Sequence, residues 1–348
     1  MTAIIDLGAL RANLAVIRER VAPSEPMIVV KADAYGHGLE QVAQLLVEEG
    51  VAWIGALDLD TASRLRAAAV PADVRIFVWL HDTADADAVG ALDQGFDIGI
   101  STLAQLESAA RSAKCRIHLK IDTGLHRAGA SVEDWPPLVA RALELQAAGR
   151  VDLVGAWTHI AEAGDEEDSD SIARFFEAVA VAEGLGARFA VKHLAASAAS
   201  FARAEVRLDL VRVGAFAYGI APGDGIGPQD LGLVPAMTLT APVLESVAGV
   251  TALGIGAADG LQERLADRVT VAIAGTRYPV TDVELDRLLV DTGDVRIGAG
   301  QTAFLWGTGA HGEATLQEWA DATGTIGEEL VTRLSPRVAR EYVGKLQR

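Results

Sequence analysis

Short apolar segments alternate with amphipathic helical segments from residue 27 to residue 218, and this alternation limits the possible folds more than any other feature. A strand, a crossover helix and a second parallel strand form one unit, so a long series of such units predicts an α/β fold with a parallel sheet. Helical patterns fill the intervals, for example at 103–113 and 170–185. The predicted strands are 27–31, 53–57, 75–80, 97–101, 116–122, 151–159, 188–194 and 208–218.

Eight strands with crossovers are the number that closes a (β/α)8 barrel of the TIM type. A doubly wound open sheet is the alternative, but it more often has a glycine-rich phosphate loop after its first strand, and the sequence has no G-x-G-x-x-G there. A glycine- and proline-rich segment at 221–228 ends this pattern. We therefore expect a TIM-type barrel at 1–228.

Beyond residue 228 the pattern changes to strand-like segments with a single helix at 315–322. This change predicts a mostly β C-terminal domain at 229–348. A candidate strand at 2–7 precedes the barrel. The strand-like segments of the second domain are 237–246, 251–255, 269–273, 288–291 and 303–306.

The composition excludes several classes of function. A formal net charge of −18 argues against nucleic-acid binding, which favours a basic surface. The sequence has no apolar segment long enough to span a membrane, and its N-terminus lacks the regions of a signal peptide. The single cysteine suits a reducing compartment. We expect a cytoplasmic protein with a small-molecule ligand, with neither a nucleic-acid nor a membrane partner, and without a metal site.

The most informative segment is 27–38, in which a predicted buried strand ends on Lys31 beside a turn that contains Gly36 and Gly38. Partial burial lowers the pKa of a lysine and favours a neutral amine that can attack a carbonyl group. The alternative is a lysine that extends from the strand end into water.

Other reactive residue types follow the remaining strands of the predicted barrel. Groups at the carboxyl ends of barrel strands meet at one rim, so these segments are expected to form one site. The segments are 120–129, 157–159, 193–198 and 211–219.

The string Val30-Lys31-Ala32-Asp33-Ala34-Tyr35-Gly36-His37-Gly38 closely resembles the pyridoxal-phosphate lysine motif of alanine racemases, and the resemblance covers almost the whole chain. It implies that pyridoxal 5'-phosphate is the cofactor. By this resemblance, Lys31 is the catalytic lysine that binds the cofactor covalently, and Tyr35 helps to bind the cofactor phosphate.

The resemblance also implies roles for five residues at later strands. Arg212 matches the arginine that faces the pyridine nitrogen, and His159 matches the histidine beside the pyridine ring. Ser197, with the backbone of Gly214 and Ala215, matches the phosphate-binding residues.

Two more matches concern the substrate side of the site. Arg127 matches the arginine near the cofactor hydroxyl and the substrate carboxylate, and Lys120 matches a lysine that is often carbamylated in the family and supports that arginine. In the family mechanism one base removes the Cα proton and another delivers a proton to the opposite face. Lys31 would serve one face, and a tyrosine from the partner subunit's β domain would serve the other.

The sequence departs from the family at that tyrosine. The tyrosine normally lies in a loop, but here 243–247 is followed almost directly by 249–260, so this loop is missing. The tyrosine of the next family segment is replaced by Ala257, and the remaining β-domain tyrosines are Tyr278 and Tyr342.

These matches predict a homodimeric, pyridoxal-phosphate-dependent racemase that interconverts L-alanine and D-alanine and supplies D-alanine for the cell wall. The alternative is a pyridoxal-phosphate-binding paralogue with weak, altered or no racemase activity, because the loop with the second base is missing.

Overall fold

A computed structural model describes residues 1–81, 95–111, 115–160 and 164–344. The chain divides into two compact units. The barrel unit consists of Ile17–Lys31 and Leu46–Gly214, and the C-terminal unit consists of Met1–Val16, Ala32–Leu45 and Ala215–Arg348.

The strands of the described residues are β1 (Thr2–Asp6), β2 (Glu25–Val29), β3 (Trp53–Ala56), β4 (Arg75–Val78), β5 (Asp97–Ile100), β6 (Cys115–Lys120), β7 (Val151–Trp157), β8 (Val191–His193), β9 (Leu210–Val213), β10 (Met237–Val247), β11 (Val250–Leu253), β12 (Thr270–Ile273), β13 (Thr276–Val283), β14 (Leu288–Asp291), β15 (Thr302–Trp306) and β16 (Ala339–Val343). The α-helices are Leu7–Val21, Leu39–Glu48, Leu59–Ala67, Leu103–Arg111, Trp135–Ala147, Asp165–Gly184, Ser197–Ala202, Leu316–Thr323 and Gly327–Thr332.

The barrel unit is a nearly closed ring of eight parallel strands in the order β8-β7-β6-β5-β4-β3-β2-β9. The strands β3, β4 and β5 are short, mostly buried segments, which suits a parallel sheet that is covered on both faces. A buried cluster fills its interior, formed by Met27, Trp53, Phe77, Trp157 and Leu210. The predicted (β/α)8 barrel is thus confirmed.

The C-terminal unit is built on a largely antiparallel sheet in the order β11-β14-β13-β12-β15-β10-β1-β16, with a further β10–β11 pairing that closes it into a barrel. The predicted β domain is confirmed. The first strand, β1, pairs with β10 and with β16. The domain limits 1–228 and 229–348 remain a proposal. The compact units differ from them because β1 hydrogen-bonds to the C-terminal sheet.

A tight hairpin joins β10 and β11 in the interval where the sequence predicts a missing loop. Val247 pairs with Val250, and the two turn residues, Ala248 and Gly249, have φ angles of 50° and 86°. Two positive φ angles are typical of a two-residue type I′ hairpin turn. The turn therefore contains only an alanine and a glycine.

Among the described residues, the structure contains no helix of sufficient length and apolarity to cross a membrane.

Candidate active site

The backbone that follows β2 differs from the expected strand end. β2 ends at Val29 rather than at Lys31, and Lys31 begins a short left-handed turn. The residues Ala32, Asp33, Ala34 and Tyr35 have φ angles of 52–56°. A left-handed conformation costs non-glycine residues roughly 1–2 kcal/mol each, so surrounding contacts must hold this turn in place.

Polar groups within the C-terminal unit supply some of these contacts. Asp33 Oδ1 accepts a hydrogen bond from Leu39 N at 3.0 Å. His37 Nδ1 lies 3.1 Å from Ala34 O and 2.8 Å from Tyr35 O, so Nδ1 carries the ring proton and donates it to these carbonyl groups. The turn is therefore fixed by side chains of its own motif.

Arg340 of β16 binds the same turn from the end of the chain. Its Nε donates to Gly36 O at 3.1 Å, and its Nη1 donates to Ser335 O at 2.9 Å and to Val338 O at 2.6 Å. Gly36 has a φ of 75°, and a Cβ there would lie 2.5 Å from Val331 O. The local geometry thus excludes a side chain at position 36, and Arg340 connects the turn to the carbonyl groups of Ser335 and Val338.

Arg212 lies on β9 and is almost fully buried, with 5% of its surface exposed. Its Nη2 lies 2.8 Å from Thr158 O and 2.9 Å from Leu194 O. The same nitrogen lies 3.0 Å from His159 Nδ1, which must accept because a guanidinium only donates. Neutral His159 therefore carries its proton on Nε2.

Four cationic side chains act on His159. Burial, followed by the charges of Arg212, Arg127, Lys120 and Lys31, lowers the pKa of His159 to about 2. The imidazole is therefore neutral at physiological pH. All four charges thus act on this histidine, and Arg212 contacts it directly.

Lys120 ends β6 and is buried. Burial lowers the pKa of Lys120 to about 8, with further lowering by Arg212 and Arg127 and an opposing effect of Asp122. Its Nζ lies 4.7 Å from the centre of the Trp157 ring. A substantial fraction of this lysine is a neutral amine near pH 8.

Arg127 is in the loop after β6, where its residue surface is exposed. Asp122 shapes this loop, because its Oδ1 accepts from Gly124 N at 3.0 Å and from His126 N at 3.1 Å. Gly129, with a φ of 128°, closes the loop against the backbone, since a Cβ there would lie 2.6 Å from Asp122 N.

Ser197 begins the helix Ser197–Ala202, and its Oγ accepts a hydrogen bond from Gly214 N at 3.0 Å. The hydroxyl and the backbone N–H that were predicted to bind phosphate are therefore neighbours. Their contact with a phosphate group remains a prediction.

Tyr35 and Ala215 belong to the C-terminal unit. The rings of Tyr35 and Tyr218 lie 5.0 Å apart between centroids. Burial, with a smaller contribution from Glu328, raises the pKa of Tyr35, so its hydroxyl stays protonated and can donate. The predicted roles of Tyr35 and Ala215 towards the cofactor remain predictions.

Asp97 and His118 are not among the site residues that the sequence predicts. Asp97 and His118 are fully buried, and His118 connects Asp97 to His193. Each is a buried polar residue in a barrel strand, Asp97 in β5 and His118 in β6. A polar residue within such a strand is the sequence signal that could have identified them.

The chain matches two protein-family models. Residues 5–222 match the alanine racemase N-terminal domain, and residues 239–342 match the alanine racemase C-terminal domain. Together these matches cover most of the sequence.

Relatives of similar length also match. An alanine racemase from Beutenbergia cavernae is 38% identical over 371 residues, with 98% of this chain and 97% of the relative covered. One from Streptomyces coelicolor is 39% identical, with coverages of 98% and 95%. Since 371 aligned positions exceed the 348 residues of this chain, the Beutenbergia protein has residues that this chain lacks.

The crystal structure of alanine racemase from a D-cycloserine-producing Streptomyces lavendulae superposes with a TM-score of 0.94 at 35% identity. It covers 99% of this chain and 97% of its own. The structure of the Streptomyces coelicolor enzyme also gives a TM-score of 0.94, at 36% identity, with coverages of 99% and 98%. The chain therefore belongs to the alanine racemase family.

Proposed function

We propose that this protein is a pyridoxal-phosphate-dependent racemase that interconverts L-alanine and D-alanine. The observation that carries the proposal is the contact of Arg212 with the neutral His159, whose ring also experiences the charges of Lys31, Lys120 and Arg127, in a chain of this family. Such a group of cations favours anionic ligands, and both the cofactor phosphate and an amino-acid carboxylate are anions.

The residues present fit pyridoxal phosphate. Lys31 supplies the amine that bonds the cofactor, and Ser197 with the N–H groups of Gly214 and Ala215 supplies donors for its phosphate. The protonated Tyr35 hydroxyl supplies another. When bound, pyridoxal phosphate withdraws electrons from the amino-acid Cα and acidifies its proton.

Each remaining residue has a role that follows from its chemistry. The Lys31 amine removes or delivers the Cα proton on one face of the substrate. Arg212 cannot lose its proton, so it keeps the pyridine nitrogen unprotonated, and its contacts with Thr158 O and Leu194 O hold the guanidinium in place. Arg127 binds the substrate carboxylate. Lys120, a partly neutral amine, suits a carbamate that would support Arg127.

The second proton-transfer group is not in the β10–β11 turn, because Ala248 and Gly249 carry no titratable side chain. Another group must serve the opposite face of the substrate. The family membership favours the racemase over the alternative of a paralogue with weak, altered or no activity. We further propose a cytoplasmic homodimer that supplies D-alanine for the cell wall.

A racemisation assay tests the proposal. Purified protein with added pyridoxal phosphate should convert L-alanine to D-alanine until the two are equal, as followed by circular dichroism and by chiral chromatography. Lys31→Ala is the control and should be inactive. A wild-type protein that binds the cofactor but leaves L-alanine unchanged would contradict the proposed function.

A further inference from the structure

A continuous chain of buried polar side chains crosses the barrel interior from β5 to β9. Asp97 Oδ1 lies 3.2 Å from His118 Nε2. His118 Nδ1 lies 3.0 Å from His193 Nε2, and His193 Nδ1 lies 3.0 Å from Arg212 Nη1. Asp97, His118 and His193 have no exposed surface, so each polar atom depends on its protein neighbour.

The two ends of this chain determine where its protons are. Arg212 only donates, so His193 Nδ1 accepts. Burial holds the pKa of His193 well below its usual value, so the ring is neutral and its one proton is on Nε2. His118 Nδ1 must then accept that proton, which leaves the proton of His118 on Nε2, facing Asp97.

Asp97 is fixed as an acceptor at its end of the chain. Its carboxylate pairs with Arg75 through Nε at 2.7 Å and through Nη2, and with Arg116 through Nε at 3.1 Å. Burial opposes ionisation, but the hydrogen bonds from His118 and Arg75 lower the pKa of Asp97 to about 2. The proton order is therefore the same over the whole range near neutral pH.

Aromatic packing keeps both histidine rings in this orientation. The Trp157 and His193 rings are stacked, with centroids 5.6 Å apart and planes 6° apart. Phe77 lies 5.0 Å from His118 and 5.2 Å from His193. Gly155 leaves room for His118, since a Cβ at position 155 would lie 2.3 Å from His118 Nδ1.

We propose that Asp97 is a positioning residue for Arg212, which it controls by setting the proton positions of His118 and His193. The inference rests on the proposed function only for what Arg212 does to the cofactor. The structural part of the inference does not depend on the cofactor: the Asp97 carboxylate on β5 makes His193 Nδ1 an acceptor, and this acceptor orients the Arg212 guanidinium on β9.

The first measurement is the ¹⁵N–¹H correlation spectrum of the full chain with labelled histidine, recorded before and after addition of pyridoxal phosphate. Two-bond couplings distinguish a ring protonated on Nε2 from one protonated on Nδ1. His118 and His193 should both carry the proton on Nε2. If either ring carries it on Nδ1 in the wild-type protein, the inference is wrong.

The second measurement uses Asp97→Asn. The single amide oxygen will stay with Arg75 Nε and Arg116 Nε at the Oδ2 position, so the amide NH2 takes the Oδ1 position. There it loses the hydrogen bond from Arg75 Nη2, faces His118 Nε2 and forces the His118 proton to Nδ1. The His193 proton then moves to Nδ1 and opposes Arg212. Loss of this charged hydrogen bond should raise the dissociation constant of pyridoxal phosphate about tenfold.

Glu107→Gln is the matched control, since it removes a carboxylate from an ion pair with Arg141 in the same unit but outside the chain of histidines. If Asp97→Asn keeps the wild-type proton positions and binds pyridoxal phosphate with the same dissociation constant as Glu107→Gln, the inference is wrong. A merely structural role for Asp97 would lower thermal stability and leave both ring signals unchanged.

If Asp97→Asn does not fold, His118→Leu provides the test. This variant leaves Asp97 paired with Arg75 and Arg116 and removes only the connection to His193. Its dissociation constant for pyridoxal phosphate should also rise about tenfold. An unchanged value would overturn the inference. A wild-type protein with the expected proton positions that does not racemise alanine would contradict the proposed function and leave this inference standing.

Discussion

The interior of the barrel unit and the β10–β11 hairpin of the C-terminal unit are opposite in chemical character. In the barrel, Arg212, His193 and Asp97 are buried and linked through hydrogen bonds. At the hairpin, Val247 and Val250 are 63% and 43% exposed, and the turn between them has no polar side chain. The buried network of charged and polar side chains therefore lies in the barrel unit, whereas the hairpin turn carries no titratable side chain.

Arg212→Met should have the largest effect, because it removes the group on which the barrel network converges. Thr158 O and Leu194 O would be left buried without their donor, at a cost of about 1–3 kcal/mol for each carbonyl group in the free energy of unfolding. Urea denaturation measures this loss. Arg141→Met, in an exposed ion pair, should cost less than about 1 kcal/mol. Equal losses in the two variants would show that the network contributes no special stability.

Arg340→Ala tests whether the C-terminal unit has any polar network comparable to that of the barrel. It removes the donor to Gly36 O and frees the left-handed turn, so we expect a loss of about 1–3 kcal/mol in the free energy of unfolding and weaker cofactor binding. Arg333→Ala, which removes an exposed ion pair with Glu329, is the control. Cofactor affinity equal to that of the control would refute a role for Arg340 in shaping the turn.

Lys120→Met should alter the pH dependence of stability. The folded-state pKa of Lys120 is lowered to about 8 from its usual 10.5, so between these values the unfolded chain binds more protons and wild-type stability rises with pH. Relative to Lys120→Met, the wild-type free energy of unfolding should increase between pH 8 and pH 10.5. Urea denaturation in carbonate-free buffer measures the free energy of unfolding at each pH. Lys192→Met, which removes another lysine of the barrel unit, is the control. If the difference in the free energy of unfolding between the wild type and Lys120→Met stays constant from pH 8 to pH 10.5, the lowered pKa of Lys120 in the folded state is wrong.

Tyr278→Phe should have the smallest effect. Tyr278 lies on β13, paired with Val271 of β12, and only its hydroxyl is lost. We expect kcat to change less than about twofold, because loss of a group that transfers a proton would cost about 10²–10⁴-fold. A decrease in kcat of about 10²–10⁴-fold, with normal cofactor binding, would identify Tyr278 as the missing second base. The C-terminal unit would then contribute a catalytic group as the barrel does.

The sequence predicted the barrel well, because its strands are short apolar segments separated by amphipathic helices. All eight predicted strands are present, although β8 and β9 are shorter than expected. The prediction failed where tertiary pairing decides the outcome. β1 joins the C-terminal sheet through β10 and β16, and β16 has no apolar pattern that marks it as a strand.

Two other features show the same limit. β13 was not predicted, since Pro279 interrupts its pattern, yet it pairs with β12 and β14. The sequence predicts a strand that reaches Lys31 but not the left-handed turn that follows, because alanine and aspartate at 32–34 give no local signal for positive φ. The site residues on strand ends were recognisable by type, whereas the proton order through Asp97 and His118 required distances.

The most direct test of the central claim is to locate the lysine that binds the cofactor. The full-length protein is incubated with pyridoxal phosphate, reduced with sodium borohydride, digested and analysed by mass spectrometry. We expect a pyridoxyl-phosphate adduct on Lys31 and on none of the other four lysines. An adduct on Lys120 or Lys192, or a reduced protein without any adduct, would contradict the claim.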